Sequence, residues 1–330
     1  MPPNGTDRDA LVNRQLPEME LSDGTAASLT GPPPPIPHYL NPEGRARYRF
    51  GVEGNAIVTG GAGTLALEGA RALLEHGVSG LALFDINPAH AEAAIAALQD
   101  DFPDANVIAK KVNVTDADNV NAAVRETAEE LGSVDVLCCF AGVVGCTHAI
   151  DMSPEEWRRV LEINTTGSFL CAQAAARQMI EQKSKGSIVF IASMSGHRVN
   201  YPQPQVAYNV SKASLLHLKN CLAAEWARHG IRVNTISPGY MDTILNEGAG
   251  LERARNSWAS RNPMGRMGLP EELTGPLILL TSHAGSYING ADILVDGKTS
   301  DSIRRSMADS NVRWSCGVLD ERTWQRCLFT

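Results

Sequence analysis

Ile57-Val58-Thr59-Gly60-Gly61-Ala62-Gly63-Thr64-Leu65-Ala66 carries the pattern that decides the fold. A short apolar run ends in a cluster of glycines, and Leu67 to His76 then places apolar residues at helical spacing. Glycines at a strand-to-helix turn let the backbone approach a pyrophosphate. The free N–H groups and dipole at the helix start stabilise its charge. Such turns also use glycine for packing alone, so the next strand matters. It runs from Leu81 to Phe84 and ends at Asp85. A carboxylate at that place can accept hydrogen bonds from both hydroxyls of an adenosine ribose and repels a 2′-phosphate. The competing reading is a surface aspartate that caps the helix beginning at Pro88.

Strand and helix patterns keep alternating. Pro88 to Leu98 reads as helix, Val107 to Val114 as strand, Val120 to Leu131 as helix and Val134 to Phe140 as strand. A long helix is expected over Glu155 to Met179, then a strand over Ser187 to Ala192. Helix Ala207 to His229, strand Arg232 to Ser237, helix Glu271 to Thr281 and strand Ile293 to Val295 follow. This alternation predicts a doubly wound α/β fold, a Rossmann-type parallel sheet with helices on both faces in a single domain over residues 51–299. Ligands of such a sheet bind at the carboxyl ends of its strands.

The flanks differ in character. Residues 1–50 are polar and proline-rich, with Pro32 to Pro35 consecutive, and are expected to form a disordered tail or, as an alternative, a polyproline ligand. Residues 300–330 hold Cys316, Cys327, Trp314 and Trp324 without a clear period. A docking tail, a substrate-site cover and an unusual chain end all remain open for this extension.

Composition excludes several classes. The 330-residue chain is 43% hydrophobic and 20% charged, as ordinary globular proteins are. Lys+Arg 29 against Asp+Glu 37 gives a net charge of −8, which argues against nucleic-acid binding. Its longest apolar runs are too short to span a bilayer, and Met1 to Gln15 has no apolar leader core. Seven irregularly spaced cysteines, with no Cys-x-x-Cys pair, predict neither a disulfide scaffold nor a zinc site. A reducing cytoplasm and no metal are the expectation.

Chemistry enters with Tyr208-Asn209-Val210-Ser211-Lys212, preceded by Ser193 and Asn164. Tyr and Lys four apart share one helical face, so the ammonium can sit near the phenol. An unperturbed phenol titrates near pH ~10, too high for a base at neutral pH, and a neighbouring cation is expected to pull it down. Ser193 ends a strand, where its hydroxyl can hold a substrate oxygen as charge develops. Ser195 is its rival; Ser193 is preferred because it directly follows the strand.

In these residues the chain resembles the short-chain dehydrogenase/reductase family over roughly Gly51 to Gly297. The matching pieces are Thr59-Gly60 with its glycine turn, Asp85, Ala141-Gly142, Asn164 in Ile-Asn-Thr-Thr-Gly, Ser193, and Tyr208 with Lys212. Ser237-Pro238-Gly239-Tyr240-Met241-Asp242-Thr243 and the closing Asn289 to Gly297 complete the match. The resemblance implies hydride transfer with NAD, or NADP as the alternative, between a small-molecule alcohol and ketone. Tyr208 would exchange the proton, Lys212 would hold the nicotinamide ribose and Ser193 would polarise the carbonyl. Asn164 would anchor a relay water. Gly60, Leu65, Asp85, Asn113, Val114, Ala141, Gly142, Met241 and Thr243 would line the cofactor, together with Tyr208 and Lys212. A homodimer or homotetramer, joined by the two longest helices and the last strand, is implied as well.

The chain departs from the family turn at Thr64 and Ala66, where glycines are usual, and Cys139-Phe140 replaces a paired asparagine. Ser193 to Asn200 with Pro202-Gln203-Pro204-Gln205 resembles the fungal polyol and ketose branch, the arabinitol, mannitol and sorbose-type dehydrogenases. Competing expectations are a tailoring enzyme of fungal secondary metabolism acting on a polyketide or terpenoid, and a non-catalytic nucleotide-binding protein. Residues 240–262 are expected to form a substrate lid, with Asn246, Trp258 and Arg261 as candidate contacts.

Overall fold

The computed structural model describes residues 15–25, 28–243 and 251–297. In Asn55–Thr59 (β1), Ala56-Ile57-Val58 are apolar without alternation because helices cover both faces, and all five residues of the strand are buried. Around it lie Gly80–Asp85 (β2), Asn106–Lys111 (β3), Val136–Cys139 (β4), Gly186–Ile191 (β5), Ile231–Pro238 (β6) and Asp292–Val295 (β7). All pairings are parallel, and the strand order is β3-β2-β1-β4-β5-β6-β7. The order of the strands reverses between β1 and β4, which opens a crevice at their carboxyl ends. This is the doubly wound sheet expected from the sequence.

Helices Thr64–Glu75 (α2), Glu92–Asp101 (α3) and Thr274–Thr281 (α9) cover one face. Helices Ala117–Leu131 (α4), Gly167–Gln182 (α6) and Val206–Trp226 (α7) cover the other. Successive strand residues feed opposite cores. Ala56, Val58, Cys138, Val189 and Ile236 pack with the first set, whereas Ile57, Leu137, Cys139, Ile188, Phe190 and Val233 pack with the second.

Several boundaries differ from expectation for local reasons. The third strand stops at Lys111, not Val114, because the Asn113 side chain accepts from the Thr115 N–H at 3.1 Å and turns the chain. Asp116 then caps α4 through the N–H groups of Asp118 and Asn119. The long helix expected over Glu155 to Met179 is Pro154–Leu161 (α5), one wider π-type turn over Glu162–Thr166, and α6. Apolar periodicity cannot register an extra residue in one turn.

The tail expected over residues 1–50 is helical at Pro42–Phe50 (α1). Asn41 caps it by accepting from Gly44 N–H at 2.7 Å, and Pro42 pre-sets its first turn. Tyr48 stacks on His283 with ring centroids 5.2 Å apart, fixing α1 beside α9. With no buried residue, α1 lacks the apolar stripe that periodicity detects. Further up, the Gly31 carbonyl accepts from Lys185 at 3.0 Å, and Glu20 pairs with Arg228. The extension over residues 300–330 and the candidate contact Asn246 lie outside the described residues.

Gly60 is a backbone position where both conformation and close approach require glycine. Its φ is +67°, and a Cβ there would meet the Ala141 Cα at 2.8 Å. Gly132, at the end of α4, also has positive φ (+95°) but nothing within 4 Å of a Cβ. We expect Gly60→Ala to lose about 2–4 kcal/mol in urea unfolding, strain and overpacking together, and Gly132→Ala only about 1 kcal/mol. Equal losses would contradict the close approach of Gly60 to Ala141.

Candidate active site

The turn after β1 forms an open cradle. Gly61 N–H bonds the Phe84 carbonyl at 3.0 Å, Ala62 N–H bonds Asp85 Oδ2 at 3.0 Å, and Gly63 N–H bonds the Gly60 carbonyl at 2.9 Å. The first intrahelical bond of α2 comes from Leu67 N–H to Gly63. The N–H groups of Thr64, Leu65 and Ala66 therefore open the helix without intrahelical partners, and Gly63 offers no side-chain cap. Such a terminus suits a phosphate. Thr64 is exposed at its lip, whereas Ala66 is buried in the core at 1% exposure, so its methyl fits where the family has glycine. Leu65 is partly buried and packs on that same core.

Asp85 lies beside this cradle at the end of β2. Besides holding Ala62, it accepts from Asn87 N–H through Oδ1 at 2.8 Å, so backbone donors fix both carboxylate oxygens. Farther along the rim, Asn113 uses its Oδ1 within its own turn. Val114 is buried, its methyls closing on Gly167, where a Cβ would lie 2.8 Å from Val114 Cγ2. The Val114 side chain thus belongs to the packing between β3 and α6.

After β4, Thr59 does the work of the missing paired asparagine. Its carbonyl accepts from Phe140 N–H and its hydroxyl from Ala141 N–H, both at 3.2 Å. Gly142 stands where a Cβ would be 3.3 Å from Asn164 Oδ1 and 3.6 Å from Lys212 Nζ. Gly142, Asn164 and Lys212 are thereby brought together.

The π-type turn presents the Asn164 amide to this loop. Oδ1 accepts from Val143 N–H at 2.8 Å, while Nδ2 donates to the Val143 carbonyl and to Ser211 Oγ, both at 2.9 Å. The amide is spent on clamping the β4 loop to α7. Ser193 lies close enough to Tyr208 to draw its phenol down, and it also meets Ser195 through an Oγ–Oγ bond of 3.0 Å and the Ser195 N–H at 3.1 Å. Ser193 is therefore the serine at the phenol, with Ser195 supporting it from behind.

Lys212 is 5% exposed; its Nζ donates to the Ile191 carbonyl at 2.7 Å and lies 5.7 Å from the Tyr208 ring centroid. Burial pushes the ammonium down to about 8. Tyr208 differs from the expectation of an acidified phenol. Burial pushes it up from the ordinary range, Ser193 opposes that rise, and the nearby Tyr240 adds to it. The ammonium is turned toward the Ile191 carbonyl and the ring, leaving the hydroxyl to Ser193. Buried thiols offer no competing nucleophile, since desolvation pushes Cys138 and Cys171 up to about 12.

Beyond β6, Met241 is buried in the core and Thr243 is buried nearby. Trp258, on helix Glu252–Ser260 (α8), is 5% exposed, stacks on Tyr240 and donates to Gln203 at 3.1 Å. Arg261 covers the Tyr201 ring at 3.7 Å. Both candidate contacts thus brace the wall of the cleft. In the sequence, Tyr240 falls in the lid expected over residues 240–262, and Asn200 and Gln203 fall in the stretch resembling the polyol branch, but neither reading gave any of the three a role of its own in that wall. His197 Nε2 ties the same loop to the sheet, 3.0 Å from Asp292 Oδ2 and 3.3 Å from Ser237 Oγ.

These parts put the open N-terminus of α2 and a Ser–Tyr–Lys set along the carboxyl edge of the sheet, an arrangement that suits a dehydrogenase using a dinucleotide. Comparison with known proteins agrees. The family model described as Enoyl-(Acyl carrier protein) reductase matches residues 60–298. The chain is 37% identical over 251 residues to the NADP-dependent mannitol dehydrogenase of Hypocrea jecorina, covering 75% of this chain and 93% of that one. It is 39% identical over 255 residues to the D-arabinitol 2-dehydrogenase [ribulose-forming] of Candida tropicalis, covering 73% and 90%. The crystal structure of a short-chain type dehydrogenase/reductase from Mycobacterium marinum superposes with TM-score 0.73 at 37% identity, covering 77% of this chain and 98% of that one. The chain belongs to the short-chain dehydrogenase/reductase family. It is an NAD(P)-dependent oxidoreductase acting on CH–OH groups, which interconverts a secondary alcohol and a ketone.

Burial of Lys212 has a pH signature. Between about 8 and the ordinary 10.5 the unfolded chain holds more protons at this lysine than the folded one, so this group makes stability rise with pH there. Lys212→Met removes that contribution. The melting temperature of the variant relative to the natural chain should fall as pH is raised from about 8 to about 10. Parallel melting curves across that window would contradict it.

Proposed function

We propose that this protein interconverts a polyol and a ketose, with NAD(H) as its preferred dinucleotide. The observation that carries the reading is the Ser193–Tyr208–Lys212 set at the carboxyl end of β5. The names of the polyol dehydrogenases it resembles support the substrate class. When bound, the dinucleotide supplies or accepts the hydride. Its phosphates would be held at the cradle of Gly60 to Ala66 and its adenosine ribose at Asp85. Asn113 and Val114 would border the adenine, and Ala141, Gly142, Met241 and Thr243 the nicotinamide half.

Tyr208 carries the proton, giving it to the carbonyl oxygen in reduction and taking it from the alcohol in oxidation. Ser193 donates to the same substrate oxygen as negative charge gathers there. Lys212 keeps a positive charge behind the phenol, which favours the phenolate at the moment it forms. Asn164 holds α7 and the β4 loop in register through Ser211 and Val143, and so sets where Tyr208 stands. Its place as the anchor of a relay water stays part of this proposal. Because burial holds the phenol in its protonated form, reduction should run readily at neutral pH and oxidation should speed up as pH rises.

Asp85 supports NAD(H), since a carboxylate pinned by Ala62 and Asn87 would face a 2′-phosphate with like charge. We place the enzyme in the cytoplasm as a homodimer or homotetramer. Free cysteines at 138, 139, 146, 171 and 221 support the first. Exposed Ile180 on α6 and Val210 on α7 support the second.

Nicotinamide absorbance tests the reading. The purified chain should oxidise polyols and reduce ketoses, and Tyr208→Phe should lower kcat about 1,000-fold or more, within the range general acid–base catalysis supplies. Wild-type rates in Tyr208→Phe would contradict it. Asp85→Ser should raise the NADP(H)/NAD(H) ratio of kcat/KM at least about tenfold, the loss of one charged contact. A natural preference for NADP(H), left unchanged by that substitution, would overturn the role of Asp85.

A further inference from the structure

Tyr240 stands in the wall of the cleft with no role in the chemistry above. Sheet register puts it there. Ile191 pairs with Ile236, so Ser193 leaves β5 level with Pro238, and Tyr240 stands just beyond. It is near enough to Tyr208 that a negative charge on one phenol opposes a charge on the other. Its ring is held flat against Trp258, centroids 4.4 Å apart at 8°.

The polar end of Tyr240 is held as firmly. Its oxygen accepts from Asn200 Nδ2 at 3.2 Å and from Gln203 Nε2 at 3.1 Å. Gln203 is itself fixed, since its carbonyl accepts from Trp258 Nε1 at 3.1 Å. A phenol oxygen has two lone pairs, and side-chain amides fill both. What the hydroxyl still offers is its proton. Asn200, meanwhile, has its Oδ1 buried with no hydrogen-bond partner, on the same amide whose nitrogen reaches Tyr240. An unpaired buried acceptor costs free energy until a donor arrives.

One pre-set donor beside one unsatisfied acceptor is the complement of a hydroxyl group, which must both accept and donate. A methylene in that place would leave both unpaired. We propose that Tyr240 Oη–H and Asn200 Oδ1 together bind a substrate hydroxyl beside the reacting carbon, and so select polyhydroxylated substrates over monofunctional ones. Gln203 and Trp258 are positioning residues that hold Tyr240. The inference rests on the polyol–ketose reading and adds to it the residues that make the choice.

The test compares reduction of D-fructose with reduction of 2-hexanone, which has the same carbon count and no hydroxyl. Tyr240→Phe keeps the ring on Trp258 and removes the donor. Its kcat/KM for D-fructose should fall about 10- to 100-fold, mostly through KM, as expected for a buried bond left half made. For 2-hexanone the fall should be much smaller. Asn200→Ala should shift the same ratio in the same direction, and quenching of NADH fluorescence should report dinucleotide binding close to that of the natural chain in both variants. Equal losses on both ketones, or no loss, would overturn the inference while leaving the polyol reading intact. If the natural chain reduces 2-hexanone but no hydroxylated ketone, D-fructose, L-sorbose and dihydroxyacetone included, the substrate reading fails and this inference with it.

Discussion

The Lys212 ammonium lies inside the cleft at 5% exposure, with the Ile191 carbonyl as its hydrogen-bond partner and no carboxylate against it among the described residues. A charge in such a place is costly, and only neighbours that cannot move can hold it there. The neighbours are built to that end. Gly196 brings the loop after Ser193 so close that a Cβ would sit 2.8 Å from the Lys212 backbone. Asn164 fastens the start of the β4 loop to Ser211, one residue before the lysine. The ends of β4 and β5, the π-type turn and α7 are thereby locked into one unit.

That unit sets the proton chemistry. Burial lowers the ammonium toward neutral pH and raises the phenol, so the two groups move apart from the expectation of an acidified tyrosine. In the proposed mechanism, Tyr208 holds its proton until a substrate oxygen gathers negative charge. In that mechanism Ser193, beside the phenol and backed by Ser195, marks where the oxygen goes. Pre-organised donors of this kind act on charge that develops during the reaction, where they are worth more than in water.

The sheet and the placement of its strands were legible because a buried parallel strand leaves an unbroken apolar run, as in Ala56 to Val58 and Leu81 to Phe84, and glycines punctuate its end. The order of Gly60, Asp85, Asn164, Ser193, Tyr208 and Lys212 along the chain was legible too, each near a strand end or on a helix face. What periodicity could not carry is geometry set by single side chains. Asn113 ends β3 by turning its own loop, and an extra residue in one turn divides α5 from α6. Helix α1 escaped notice because it buries nothing, although Asn41-Pro42 signalled its start. The direction of the Tyr208 shift was misjudged for a related reason. Spacing places an amine one turn from a phenol, but only the fold reveals that the amine turns to a carbonyl and that both lose water.

The central claim is that a protonated, buried phenol and a partly destabilised ammonium share one pocket. Carbon NMR of chain labelled at tyrosine Cζ and lysine Cε, with Tyr208→Phe and Lys212→Met spectra to assign the signals, reads both groups during a pH titration. The account predicts a Tyr208 signal that stays protonated past pH 10 and a Lys212 signal that titrates at about 8. A phenolate at neutral pH, or a lysine titrating at the ordinary 10.5, would contradict it.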